Sequence, residues 1–220
     1  MKASIALATF FGFVGFGSGA LAQSIEGAIQ VGLGTSFLTY SSTTVDTSTA
    51  VAGVSQSEKT KVTRWGISER NGVQLEGGYG LSNSLLLGGI LALGGTSTSY
   101  SPGGNGNESS YFHLLLAPKI EYLFLPNSVF RPAVGGAIGL SMRNSNYQNA
   151  ADVTQTGLGL LGRVGGKWFL TPGFSIDPNL FFGFETLTGS TSFNNTNASR
   201  DTSSSGYSIG LSLGVSGWVK

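Results

Sequence analysis

The chain has no cysteine, one histidine and little charge: Asp, Glu, Lys and Arg together make up 10% of its 220 residues. Lack of cysteine excludes disulfides and thiolate metal sites, even in an oxidising compartment. A soluble domain usually carries about 25% charged residues, so this chain has few with which to coat a water-facing surface. The charge it has is balanced, with 12 basic against 11 acidic residues, which leaves no field to capture nucleic acid. Long apolar runs are missing as well. After Ala22 none reaches the roughly 20 residues of a spanning helix, and no strong helical periodicity replaces them.

Residues 1–22 read as an export signal. Lys2 gives a positive start, Ile5 to Phe16 are mostly apolar, and Ala20-Leu21-Ala22 is an A-x-A cleavage site. The stretch is too short and too glycine-rich for a spanning anchor. The expected mature domain is 23–220, and loss of Lys2 leaves eleven charges of each sign, hence a formal charge of zero.

In that domain the dominant pattern has period two. Tyr207, Ile209, Leu211, Leu213, Val215 and Val219 share one face, opposed by Ser208, Gly210, Ser212, Gly214 and Ser216. Four earlier segments, from Phe112, Phe130, Leu158 and Phe174, repeat the pattern. Near the start Ile25, Ile29, Val31, Leu33 and Phe37 oppose Glu26, Gln30 and Gly32, and Val73, Leu75 and Tyr79 oppose Gln74 and Glu76. Leu85 to Leu93 is apolar on both faces and is assigned as a strand by its length and flanking turns. Eight strands result. Tight turns at Leu81–Ser84, Pro126–Ser128 and Thr171–Gly173 alternate with longer polar connections near Ser41–Thr63, Ser101–Ser110, Asn144–Asp152 and Asn194–Ser205. Outer-membrane barrels have this asymmetry, with short periplasmic turns and longer loops outside.

The charges decide which face meets lipid. Lys119, Glu121, Arg131, Arg143, Arg163, Lys167, Asp177 and Glu185 all lie on the phase opposite the apolar residues, beside Gly, Ala and Ser. A Lys or Arg on the lipid face would cost about 2–4 kcal/mol near the bilayer midplane. The polar face therefore points into a narrow lumen. With Glu26 and Glu76 added, five acids face five bases, and buried charges of that kind are stable only when paired. A lumen charge network of Glu26, Glu76, Lys119, Glu121, Arg131, Arg143, Arg163, Lys167, Asp177 and Glu185 is the expectation. Tyr79, Tyr122, Phe124, Phe130, Trp168 and Phe174 are expected as an interfacial girdle near the short turns. The excess strand length is expected to project as paired ribbon, farthest in the hairpin with Ala52-Gly53 near its tip.

The fold expected is thus all-β: an eight-stranded antiparallel transmembrane β-barrel preceded by a cleavable signal peptide. In strand count, loop asymmetry and leader the chain resembles the small outer-membrane β-barrels typified by OmpX and the membrane domain of OmpA, a porin-like superfamily, over its whole mature length. The resemblance implies a monomer in the outer membrane of a Gram-negative bacterium, with outer-membrane lipid, lipopolysaccharide and the barrel-assembly machinery as partners, and leaves any surface ligand open. Two departures stand out. The chain ends Trp218-Val219-Lys220 where such barrels end in an aromatic residue, and Pro118, Pro132 and Pro178 fall within strands, where bulges or missing ladder bonds are expected.

Candidate motifs are weak. Gly157-Leu158-Gly159-Leu160-Leu161-Gly162 matches a dinucleotide fingerprint but lies inside an alternating strand instead of opening a helix. Some barrels of this size modify lipid A with a histidine and a serine or acid. Here His113 has Glu108, Ser109 and Ser110 nearby in sequence, but its phase points it inward, away from lipid. No catalytic set, cofactor or metal site is expected. The functional expectation is a barrel with a filled polar lumen that displays Ser/Thr-rich hairpins in a structural or adhesive role. A narrow solute pore is the alternative and a lipid-modifying enzyme the third reading.

Overall fold

The computed structural model describes residues 24–51, 54–66, 72–100, 107–126, 128–147, 151–193 and 199–220. The expected export signal lies outside them. The elements are β1 (Ile29–Val51), β2 (Val54–Gly66), β3 (Val73–Gly80), β4 (Leu85–Tyr100), β5 (Asn107–Leu123), β6 (Phe130–Tyr147), β7 (Ala151–Thr171), β8 (Phe174–Phe193) and β9 (Ser199–Val219). All neighbours are antiparallel, and β1 closes the sheet on β9 from Ile29↔Val219 to Ser48↔Asp201. On its other edge β1 pairs first with β3, Ile29↔Tyr79 to Gly34↔Gln74, and then with β2, Thr39↔Gly66 to Val51↔Val54. β2 and β3 are two pieces of one barrel strand, so the ring has the eight positions expected.

The long connections turn out mostly to be strand. Ser41–Val51 and Val54–Thr63 are the upper parts of β1 and β2, with the expected tip at Ala52-Gly53 outside the described residues, and the other three shorten because β5, β6, β7 and β9 continue past the expected ends. The physical reason is that Ser and Thr tolerate extended backbone well. Where a strand leaves lipid, its outward face turns polar, and the alternation that marks a strand in sequence fades while the ladder persists.

The prolines interrupt pairing where they lack an amide proton. The β5–β6 register passes from Leu116↔Leu140 directly to Lys119↔Ala137 across Pro118, and the β7–β8 register from Gly165↔Asn179 to Trp168↔Ile176 across Pro178. Pro132, near the start of β6, keeps its place opposite Gly166. The tight turns are short: Pro172-Gly173 joins β7 to β8, and Leu125 (φ 53°) turns the chain before β6.

Among the described residues of the apolar belt, large apolar side chains cover the outside without interruption by charge, among them Leu116, Ile138, Leu140, Val164 and Phe182. Of the expected girdle, Tyr79, Tyr122, Phe124, Phe130 and Trp168 are outward and exposed, whereas Phe174 is buried. Tyr40 and Tyr207 meet at 6.1 Å between ring centroids higher on the wall.

Inside, two apolar layers alternate with two polar ones. Nearest the short turns Ile25, Ala28, Leu86, Leu123, Ala133, Phe169 and Trp218 form a plug. Farther up, Ile90, Ala92, Leu115, Ala117, Ala137, Leu161 and Phe181 form a second layer. Ile25 was expected on the lipid face. Instead Gly27 (φ 75°) turns the segment before β1 under the barrel, and Ile25 is 1% exposed. The two-sided apolar character of β4 is also explained, since Leu86 belongs to the plug and Ile90 and Ala92 to the second layer while Leu87 faces out.

Candidate functional site

In the lumen polar side chains from all sides of the described barrel converge, and strand parity sets its lining. Immediately above the plug, β3, β5, β7 and β8 each contribute charged residues. The Lys119 Nζ donates to Glu76 at 2.6 Å, to Glu121 at 3.4 Å and to the Gln30 side chain at 3.2 Å. Lys167 Nζ lies 3.1 Å from both Glu121 and Asp177. Arg163 pairs with Glu76 and donates to Gln74 at 2.5 Å. Asp177 also accepts from Ser175 at 2.7 Å and from Ser216 at 2.5 Å, and Ser216 in turn accepts from Gln30 at 2.8 Å. Trp218 of the plug donates to Ser175 at 3.1 Å, tying the two layers together. Three cations thus face three carboxylates in one connected layer. Their side chains are between 3% and 12% exposed. Such burial is stable only with this kind of mutual pairing.

Above the second apolar layer lies a smaller polar cluster. Arg143 pairs with Glu185, and His113 Nε2 stands 3.0 Å from Ser141 Oγ and 3.3 Å from Glu185 Oε2. Gln155 accepts from Ser204 at 3.1 Å beside it. The structure therefore joins His113 to residues 28 and 72 positions away, on β6 and β8, and not to the sequence-adjacent Ser110, which faces outward. The side chains of Glu108 and Ser109 lie outside the described residues. Serine and carboxylate both approach the same imidazole nitrogen, and Ser141 Oγ also donates to Glu185 Oε2 at 3.3 Å. The cluster has the chemistry of a buried hydrogen-bonded ion pair.

Two of the ten expected network residues sit elsewhere. Glu26 is exposed in the turn before β1, because β1 starts later than its alternation indicated. Arg131 is fully buried at the plug, stacked 4.7 Å over Phe169 and donating to the Ser128 carbonyl at 3.3 Å. Sequence reasoning passed over Gln30, Gln74, Ser175 and Ser216, which link the charges. All four were marked by inward parity, but counting only ionised groups missed them. Trp218 and Phe169 are likewise inward by parity, one residue away from Val219 and from Trp168 and Leu170.

Among the described residues two small cavities lie in the lumen. A cavity of about 20 Å³ lies in the lower charge layer and one of about 40 Å³ beside His113. Since one water needs roughly 10–15 Å³ on this measure, each takes a few waters at most. The layer of Leu115, Leu161 and Phe181 separates them.

No protein-family model matches the chain, and no curated protein is similar to it in sequence. Solved structures are similar. The outer membrane protein OprG from Pseudomonas aeruginosa is 11% identical and superposes over 89% of this chain and 98% of its own, with a TM-score of 0.53. The outer membrane protease OmpT from Escherichia coli is 10% identical over 87% and 97%, with a TM-score of 0.50. The chain has the fold of the small outer-membrane β-barrels. At such identities the likeness is one of fold, but the barrel's own outer surface supplies the rest: its charge-free apolar wall is the face that such a fold presents to lipid. An outer-membrane barrel is the conclusion that fold and surface share.

Proposed function

We propose that this barrel is a closed, non-catalytic surface protein, anchored in the outer membrane and holding paired ribbons outside it in a structural or adhesive role. The observation that carries the proposal is the stacking of lumen layers: an apolar plug, a balanced charge layer, a second apolar layer and the Arg143–Glu185 cluster. An eight-stranded interior is only wide enough for side chains to fill, and here large ones meet at every level. The narrow pore, as the competing reading, needs the two water-sized cavities to join through Leu115, Leu161 and Phe181. A lipid-modifying enzyme needs its nucleophile at the lipid face, whereas Ser141 is 1% exposed and inward.

Conductance in a planar bilayer tests the proposal. Purified, monodisperse barrel is expected to give no steady current. Stable single-channel steps at low voltage would replace this reading with the pore.

A further inference from the structure

A long strand edge above the apolar belt lacks a partner among the described residues. There β2 forms a ladder with β1 alone, and β3, which pairs with the same side of β1 lower down, begins only at Val73. Across this seam β4 pairs with β3 as far as Val73↔Leu93, so that from Gly94 to Tyr100 it is joined to β5 alone. In an antiparallel ladder every second residue turns its N–H and C=O away from the partner strand. About half of the 13 residues of β2 therefore present backbone donors and acceptors to an empty edge.

Exposed edges are ordinarily blunted by proline, by a bulge or by shortness, and β2 has none of these. Val54–Gly66 contains no proline, and its register with β1 runs without a shift from Thr39↔Gly66 to Val51↔Val54. What guards the edge is charge. Lys59 and Lys61 share one face, as residues two apart on a strand do, while Glu58 lies on the other. Both lysines are exposed, and the Lys59 side chain, 73% exposed, pairs loosely with Asp46 at 3.8 Å. Their ammonium groups remain available to a strand laid alongside.

We propose that the free edge of β2 takes up an extended acidic segment of another protein as an added strand. The backbone supplies the hydrogen bonds and the lysines the selection. An added strand sets its side chains opposite those of β2 on each face, so carboxylates at two alternate positions meet Lys59 and Lys61 directly, where opposite charges stabilise a cross-strand pair and like charges weaken it. A second copy of this chain fits poorly. Two β2 edges paired about Thr60 set Lys59 against Lys61 twice, and because a two-fold pairing keeps each face opposite itself, Glu58 meets neither lysine in any register. The proposal rests on the reading of a surface protein whose ribbons stand outside, and it names the chemistry of the partner.

The test is fluorescence anisotropy at low salt with the detergent-solubilised full barrel and three labelled Thr/Val peptides, each about eight residues long to span a strand. The first carries Glu at two alternate positions, the second Lys at the same positions, and the third is the acidic peptide with its backbone amides methylated. The acidic peptide is expected to bind at least about tenfold more tightly than the lysine peptide, and methylation should abolish its binding. Lys59→Glu together with Lys61→Glu should reverse the preference between the first two; should that variant not fold by gel mobility, Lys61→Gln alone should reduce it. Failure of the acidic peptide to bind, equal binding of its methylated form, or an unchanged preference in the variants overturns the proposal. Native dimers in sedimentation, cross-linked between copies at Lys59 and Lys61, would give the edge to a second copy and overturn it as well. None of these results bears on conductance, which tests the reading of a closed surface barrel separately.

Discussion

Replacing Lys167 by Met removes a cation from the middle of the lower charge layer while keeping the aliphatic stem. In the structure the ammonium lies 3.1 Å from Asp177 and 3.1 Å from Glu121. At that separation and an effective dielectric of about 20, each pair contributes about 5 kcal/mol of gross attraction. Desolvation of the ions offsets much of it, and breaking a buried pair from one side typically costs about 3–5 kcal/mol net. After the change three carboxylates, Glu76, Glu121 and Asp177, face only Lys119 and Arg163. Adding Asp177→Asn restores two against two, with Glu121 still 3.4 Å from Lys119. The sign of the second substitution should therefore invert. Asp177→Asn is expected to destabilise the native barrel, where it leaves three cations to two carboxylates, and to be neutral or stabilising in the Lys167→Met background. Urea unfolding of the folded barrel in micelles or vesicles, followed by tryptophan fluorescence and by gel mobility without heating, measures all four species. Lys167 Nζ lies 5.7 Å from the Trp218 ring, so the fluorescence reports locally. If Asp177→Asn costs the same in both backgrounds, the charges act singly and the reasoning from a balanced layer is wrong.

Glycine placement gives a second test. A Cβ on Gly139 would collide with the Leu116 carbonyl and with Ala117, whereas one on Gly77 meets nothing within 4 Å; Gly139→Ala should lower the folded fraction sharply, Gly77→Ala should not, and equal yields by gel mobility would refute the packing. Because the chain has no cysteine, single thiols can map topology: Ser48→Cys or Lys59→Cys should react with an impermeant maleimide on intact cells, and Ser128→Cys only after the outer membrane is permeabilised, so the reverse order would mean the barrel is inverted. Trp218→Ala opens the plug and should cost about 3–5 kcal/mol, yet the bilayer current should stay null because the charge layer and second apolar layer remain above it; a current in this variant would show that the plug alone seals the lumen.

Much of the wall was legible because a strand has a period of two that neighbours cannot alter. Once Leu158, Leu160 and Val164 faced lipid, Arg163 and Lys167 had to face in, and the same parity places Lys119, Glu121, Arg143, Asp177 and Glu185. Parity does not survive a turn or a bulge, however. Gly27 breaks it ahead of β1, which is why Glu26 and Ile25 were misplaced. The register shift between Ser36 and Leu38 breaks it again, leaving Phe37 and Leu38 both exposed and sending Thr39, Ser41 and Thr43 inward.

The amino-acid sequence by itself determined that this chain closes on itself in lipid. With too little charge for water and too short an apolar run for a helix, only a barrel can satisfy the backbone in a bilayer, and the parity of the charged residues chose which side is wet. The partners inside were decided by tertiary structure alone. Glu76 meets Lys119 across 43 positions and Arg163 across 87, and His113 finds Glu185 where Ser110 was nearer along the chain. Those meetings depend on the stagger between strands around the ring, to which every ladder, each proline interruption and the β1 bulge contributes, and no local pattern of residues encodes a sum taken around a closed wall.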